Sequence, residues 1–166
     1  MKLVVSPLAG LQNALAAHKP SHVITLISPD APAVVCDGIH HHLTLRFNDI
    51  AAPQDGLVAP NTETLQALLA FAPGWDRSAP MLVHCFAGIS RSTAAAYILA
   101  CDAAGLGQEA KIAARLRRAS GSATPNALMV ALADNILRRD GRMVAGIAAI
   151  GRGEEAAQGS CFDFPL

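Results

Sequence analysis

Three short β-branched or apolar runs, Leu3-Val4-Val5, His22 to Ile27 and Met81 to His84, are too short for helices and are separated by segments with helical spacing. A chain that alternates this way buries its strands on both faces, which requires helices above and below a sheet. The first helical segment runs from Leu8 to His18, with Leu8, Leu11 and Leu15 on one side and Lys19-Pro20 as its stop. His42 to Phe47 alternates as a further strand and opens into a loop from Asn48 to Pro60. Asn61 then caps a helix carrying Leu65, Leu68, Leu69 and Ala72 on one face, up to Pro73-Gly74.

Beyond Met81–His84 the pattern becomes helical: Ser92 to Ala104, Gln108 to Arg118, a helix capped by Thr124 with Pro125 at its first position, and a stretch from Met143 to Ile150. The expected fold is therefore α/β, a mainly parallel central sheet flanked by helices, with a helical C-terminal third. A single domain is expected over residues 1–150, and the Gly-containing segment 151–166 is read as a tail. At 166 residues and 52% hydrophobic the chain can fill one core.

Thirteen Lys and Arg balance thirteen Asp and Glu, so no chain-wide field attracts nucleic acid or an anionic membrane. Recognition of an anion has to be local. No apolar run approaches the ~18 residues of a membrane span, and Lys2 precedes too short an apolar run for a signal peptide, so a cytoplasmic location is expected. Cys36, Cys85, Cys101 and Cys161 form no CxxC pair, so neither a disulfide framework nor a zinc site is indicated. His40-His41-His42 cannot all face one ion from a strand and are read as solvated. The cationic residues Lys111, Arg115, Arg117, Arg118, Arg138, Arg139 and Arg142 are read as solvated helix faces or favourable charge at helix C-termini.

The stretch with chemical content is His84-Cys85-Phe86-Ala87-Gly88-Ile89-Ser90-Arg91-Ser92-Thr93, at a strand-to-helix junction. Between Cys85 and Arg91 the backbone has to curl, with Gly88 free to take a positive φ. The amides of Phe86, Ala87, Gly88, Ile89 and Ser90, with the helix N-terminus, then converge on one anion. The Arg91 fork matches two oxygens of a phosphate, and the same positive field favours a Cys85 thiolate facing the phosphorus. Ser92 is placed to donate a hydrogen bond to the sulfur as it leaves. A P-loop nucleotide site is excluded, because no GxxxxGK[ST] run is present.

These ten residues resemble the HCxxGxxR[ST] signature of the cysteine-dependent protein tyrosine phosphatases, closest to the dual-specificity branch. The resemblance implies Cys85 as nucleophile, Arg91 as phosphoryl ligand and His84 as a residue that hydrogen-bonds within the loop to hold it. It implies a general-acid Asp some thirty-odd residues earlier on a loop after a strand, where Asp49 is the choice and Asp55, on the same loop, the rival. Pro125-Asn126 resembles a family pair whose Asn braces the phosphate loop. Some members protect the nucleophile by a disulfide, for which Cys36 is the candidate here, although a buried apolar Cys is the expected role. No cofactor or metal is implied, and the substrate is a phosphorylated protein or a small phosphate ester. Unlike many phosphoinositide phosphatases, the loop has no Lys between Cys85 and Arg91. Other classes open at this point are thiol chemistry of the sulfurtransferase or arsenate-reductase kind, which needs a resolving thiol, and a phosphopeptide-binding module without turnover.

Overall fold

The computed structural model describes residues 2–166, so Met1 of the expected domain lies outside it. Its sheet has the order β3-β2-β4-β1-β5. Strands β1 (Lys2–Pro7), β2 (His22–Ile27), β3 (His41–Arg46) and β4 (Met81–Cys85) pair parallel, and β5 (Phe162–Pro165) runs antiparallel to β1. The central strand β4 and its neighbour β2 are buried along their whole length, as their unbroken apolar runs require.

Alternation along the strands divides the core into two clusters. Leu3, Val5, Ile24, Leu26, Met81 and Val83 face one side, where α2 (Thr62–Phe71), α3 (Arg91–Ala104), α4 (Glu109–Ala119), α5 (Ala127–Ile136) and α6 (Arg142–Ile150) lie. Val4, Val23 and Leu82 face the other, where α1 (Leu11–His18) brings Leu11 and Ala14, and Cys36 packs beside them. The α/β class, the mainly parallel sheet and the helical C-terminal part are thus as the residue patterns imply. No helix among the described residues is long and apolar enough to cross a membrane.

Several expectations change in detail. Residues Leu8–Gly10 form a 3-10 turn before α1 begins at Leu11, because β1 continues through Pro7 and the chain must reverse there. The N-cap of α5 is Asn126, whose Oδ1 accepts from the Met129 amide at 3.0 Å, rather than Thr124; Pro125 lies outside the helix. The Thr124 hydroxyl instead donates to the Ser122 carbonyl at 3.2 Å and accepts from the Gly153 amide at 3.0 Å, which removes it from capping. Asn61 caps α2 as its position implies, accepting from the Thr64 amide at 2.9 Å.

The segment expected as a tail completes the sheet edge. Phe164 is fully buried in the larger cluster, and the Arg115 guanidinium sits 5.3 Å from its ring centroid. Two of the glycines that made this segment read as irregular serve close approach: a Cβ on Gly153 would lie 2.5 Å from the Ser122 carbonyl oxygen, and one on Gly159 2.9 Å from that of Gly88. Of the cationic helix residues, Lys111, Arg118, Arg138 and Arg142 are exposed as expected, whereas Arg115, Arg117 and Arg139 are more internal. Arg139 is buried between Glu109 Oε1 at 3.3 Å and the Cys101 carbonyl at 3.0 Å, and Arg117 ties the Gly121 carbonyl to that of Gly151 at the start of the C-terminal segment. Truncating Phe164 to Ala is expected to cost about 3–4 kcal/mol of folding stability. Urea unfolding of the two proteins would measure this, and an undiminished midpoint would show that the C-terminal strand is not part of the cooperative unit.

Candidate active site

β4 is the central strand, and the chain leaves its C-terminal end at Cys85, at the crevice where α/β sheets place their ligands. The following residues cannot continue the ladder, because they must turn back into α3 within five residues. Their carbonyls point outward and are each taken up by a different part of the molecule. Leu8 N–H donates to the Phe86 carbonyl at 3.1 Å, Gly159 N–H to Ala87 at 2.8 Å and Thr124 N–H to Ile89 at 2.9 Å; the Ser90 carbonyl accepts the Thr93 hydroxyl at 3.0 Å. In a trans peptide the carbonyl and the next N–H oppose each other. Outward carbonyls at 86, 87, 89 and 90 therefore turn the amides of Ala87, Gly88, Ser90 and Arg91 inward, toward the concave side.

The Gly88 amide shows the result, donating to Cys85 Sγ at 3.2 Å. Gly88 holds φ +71°, and a Cβ there would lie 2.7 Å from the Pro7 nitrogen, so glycine is required both by conformation and by contact with β1. Cys85 is 2% exposed at the floor of this cradle, and Ser92 Oγ lies 3.2 Å from its sulfur.

Arg91 opens α3, is buried, and donates from NH1 to the Phe47 carbonyl at 3.0 Å. Its Nε has no hydrogen-bond partner among the described residues and lies 3.8 Å from Asp49 Oδ2. A buried guanidinium with donors left over suits an incoming oxyanion. Asp49 sits on the loop that leaves β3, and its Oδ1 accepts from Ser90 Oγ at 2.7 Å and from Asn126 Nδ2 at 2.8 Å. Asn126 thus braces the acidic loop with its side chain, bonding Ile50 O as well at 3.1 Å, and meets the nucleophile loop only through its backbone. Asp55 lies exposed farther along the same loop.

One ring nitrogen of His84 reaches away from the loop: its Nε2 meets Thr25 Oγ1 of β2 at 2.7 Å, and the same hydroxyl meets His42 Nε2 of β3 at 2.7 Å. A hydroxyl has one proton to give, so one imidazole must accept and the other donate. His42 is accordingly only half-exposed rather than a solvated strand residue, and His41 stacks on His22 with centroids 4.4 Å apart. Burial, then His42, pushes the His84 imidazole down to about 4, with the Cys85 backbone opposing weakly. The ring is neutral wherever the protein is near neutral pH.

Cys36, Cys101 and Cys161 form no disulfide with Cys85. Cys36 is buried in the smaller cluster on the other side of the sheet, and all four thiols are free. Burial raises Cys36 and Cys161 above the usual thiol range and takes Cys101, in α3, up to about 12. No cluster of three or more His, Cys, Asp or Glu able to hold a metal exists among the described residues. Sequence reasoning missed Phe47, whose carbonyl holds Arg91, as well as Thr25 and Gly159; a backbone carbonyl or amide leaves no trace in residue type.

Because the folded chain holds His84 neutral while the unfolded chain protonates it near its ordinary value of 6.5, its contribution to stability is complete above that value. It is lost as pH falls toward about 4. Between pH 7 and pH 5 the protein is expected to lose about 1–2 kcal/mol through this residue, and His84→Gln should flatten that part of the dependence. Urea midpoints of both proteins at the two pH values give the comparison; equal slopes would place the dependence elsewhere, in His22 or His42.

No known protein-family model matches the chain, and no curated protein matches it by sequence. Among solved structures it is similar to the crystal structure of the dual-specificity phosphatase DUSP15, with a TM-score of 0.62 over 88% of each chain at 18% identity. The sheet and helices that hold Cys85 and Arg91 at one crevice thus make up the fold of the dual-specificity phosphatases.

Proposed function

We propose that the protein is a phosphatase that hydrolyses phosphate monoesters through a cysteinyl-phosphate intermediate. Its substrates on this reading are phosphotyrosine in proteins, and phosphoserine or phosphothreonine. The observation that carries it is the cradle itself: a sulfur that receives the Gly88 amide, with a buried guanidinium whose Nε is unbonded and a carboxylate 3.8 Å from that Nε. The likeness to a dual-specificity phosphatase supports it at the level of fold.

In this mechanism the Cys85 thiolate attacks phosphorus while Arg91 and the loop amides hold the equatorial oxygens. The P–O bond to the leaving group breaks as Asp49 delivers a proton to that oxygen. Two donors already occupy Oδ1 of Asp49, so Oδ2, the oxygen that faces Arg91, is the one free to carry the proton. Water then attacks phosphorus, Asp49 takes its proton, and the S–P bond breaks with Ser92 Oγ hydrogen-bonding the departing sulfur. No cofactor or metal takes part. A cytoplasmic setting fits four unpaired cysteines, which a reducing compartment preserves.

A resolving-thiol chemistry finds less support, since Cys36 and Cys101 are buried, which raises their thiols above the usual range. The test is hydrolysis of phenyl phosphate by the reduced protein with a chelator present. Wild type is expected to turn over and Cys85→Ser to be inactive, while Asp49→Asn loses about 10²–10⁴-fold in kcat and Asp55→Asn stays close to wild type. Absence of turnover by folded wild type overturns the reading, and the reverse pattern for the two Asp variants moves the acid to Asp55.

A further inference from the structure

Among the outward carbonyls of the nucleophile loop, that of Ala87 differs from the rest in what its peptide carries at the other end. A trans peptide opposes its carbonyl and its N–H, and the N–H opposite the Ala87 carbonyl is that of Gly88, which donates to Cys85 Sγ at 3.2 Å. The carbonyl itself accepts from the Gly159 amide at 2.8 Å. One rigid plane is thus held at both ends, by the C-terminal segment on its outer side and by the sulfur on its inner side.

It is also the peptide whose direction the loop fixes least by itself. Turning the Ala87–Gly88 plane over changes φ of Gly88, and glycine accepts either sign of φ, so the +71° found there is one of two open choices. The other planes with outward carbonyls are followed by Ala87, Ser90 and Arg91, whose side chains disfavour positive φ. The bond from Gly159 makes the choice at Gly88. Of residues 151–161, Gly159 alone is buried. Before it the segment is fastened by the Gly153 amide on Thr124 Oγ1 and the Glu154 amide on the Gly121 carbonyl, both at 3.0 Å. Between those fastenings and Gly159, residues 154–157 border a cleft of about 570 Å³ with Ile89, Ser90 and Thr124 on its other side. A Cβ at Gly159 would lie 2.9 Å from the Gly88 carbonyl oxygen and 3.4 Å from Ile89 Cγ1, so a side chain there pushes the amide away from Ala87.

We infer that Gly159 is a positioning residue for the nucleophile: its N–H, by fixing the Ala87–Gly88 peptide, keeps the Gly88 amide on Cys85 Sγ. An N–H donated to sulfur favours the thiolate over the thiol, and the thiolate is the reactive form. The reactivity of Cys85 therefore depends on a segment 74 residues away in sequence, whose other contacts with the site are few. The inference rests on Cys85 as the nucleophile of the phosphatase reading but concerns the sulfur and not turnover.

The test is the rate at which iodoacetate alkylates Cys85 at neutral pH in the reduced full chain, read by mass spectrometry on the peptide that contains it. An ester in place of the Gln158–Gly159 peptide bond, introduced by ligating a synthetic C-terminal segment, removes the Gly159 N–H without adding atoms. An ester one bond earlier, at the exposed Gln158, is the control. The Gly159 ester and Gly159→Ala are each expected to slow alkylation about tenfold, and the control ester to leave it at the wild-type rate. An unchanged rate in the Gly159 ester overturns the assignment, and so does a faster one, which would show that the bond only keeps the loop closed over the sulfur. Phenyl phosphate hydrolysis is followed on the same proteins. A wild type that does not turn over while the alkylation contrast holds overturns the phosphatase reading and leaves Gly159 in its role; a wild-type Cys85 that iodoacetate does not modify removes both.

Discussion

The site depends on where four backbone carbonyls point. A loop that curls around an anion must face its N–H groups inward, and it can do so only if something else accepts the burden of its carbonyls. Here Leu8, Gly159 and Thr124 supply amides and Thr93 a hydroxyl. These residues come from the turn after β1, the C-terminal segment, the approach to α5 and the first turn of α3. The loop is therefore not a local motif that a few residues make by themselves. It is held open by the two ends of the chain and by the middle, which explains why a segment as irregular as 151–161 packs against it so closely that Gly159 has no room for a side chain.

The charged groups follow from the same geometry. Arg91 is buried because it opens a helix that is itself buried, and a guanidinium in that position needs acceptors. Phe47 O provides one, and Asp49 gives a facing charge without closing on it. Asp49 is in turn held by Ser90 and Asn126, so Asp49, Arg91 and the loop form one network. Ser90 spends its hydroxyl on that network and not on capping α3, which leaves the helix N-terminus open toward the cradle.

Much of this was readable from residue types. The buried runs of β2 and β4, the capping Asn61 and the heptad-like stripe of α2 gave the alternation that leads to a parallel sheet, and Cys85, Gly88 and Arg91 stand at a spacing that only a curled loop accommodates. What escaped is instructive in a consistent way. The arginines of α4 and the turn after α5 look like a solvated basic face, yet Arg117 and Arg139 serve as internal ties, because a long cation can satisfy distant carbonyls that no linear pattern records. β5 escaped because glycine and polar residues precede it, and the pairing partner that makes Phe162–Pro165 a strand lies at the opposite end of the chain.

Residue types and their spacing carry the α/β class and the place of the Cys85–Arg91 loop between strand and helix, since periodicity and a fixed local spacing are properties of neighbours in the chain. The tertiary structure alone decided that Asp49, and not the exposed Asp55, lies beside Arg91, that Thr25 joins His84 to His42, and that Gly159 meets the Ala87 carbonyl. Each of these depends on segments brought together by sheet order and by backbone hydrogen bonds, and a peptide N–H or carbonyl is the same in every residue but proline, so no sequence pattern can announce which of them will meet.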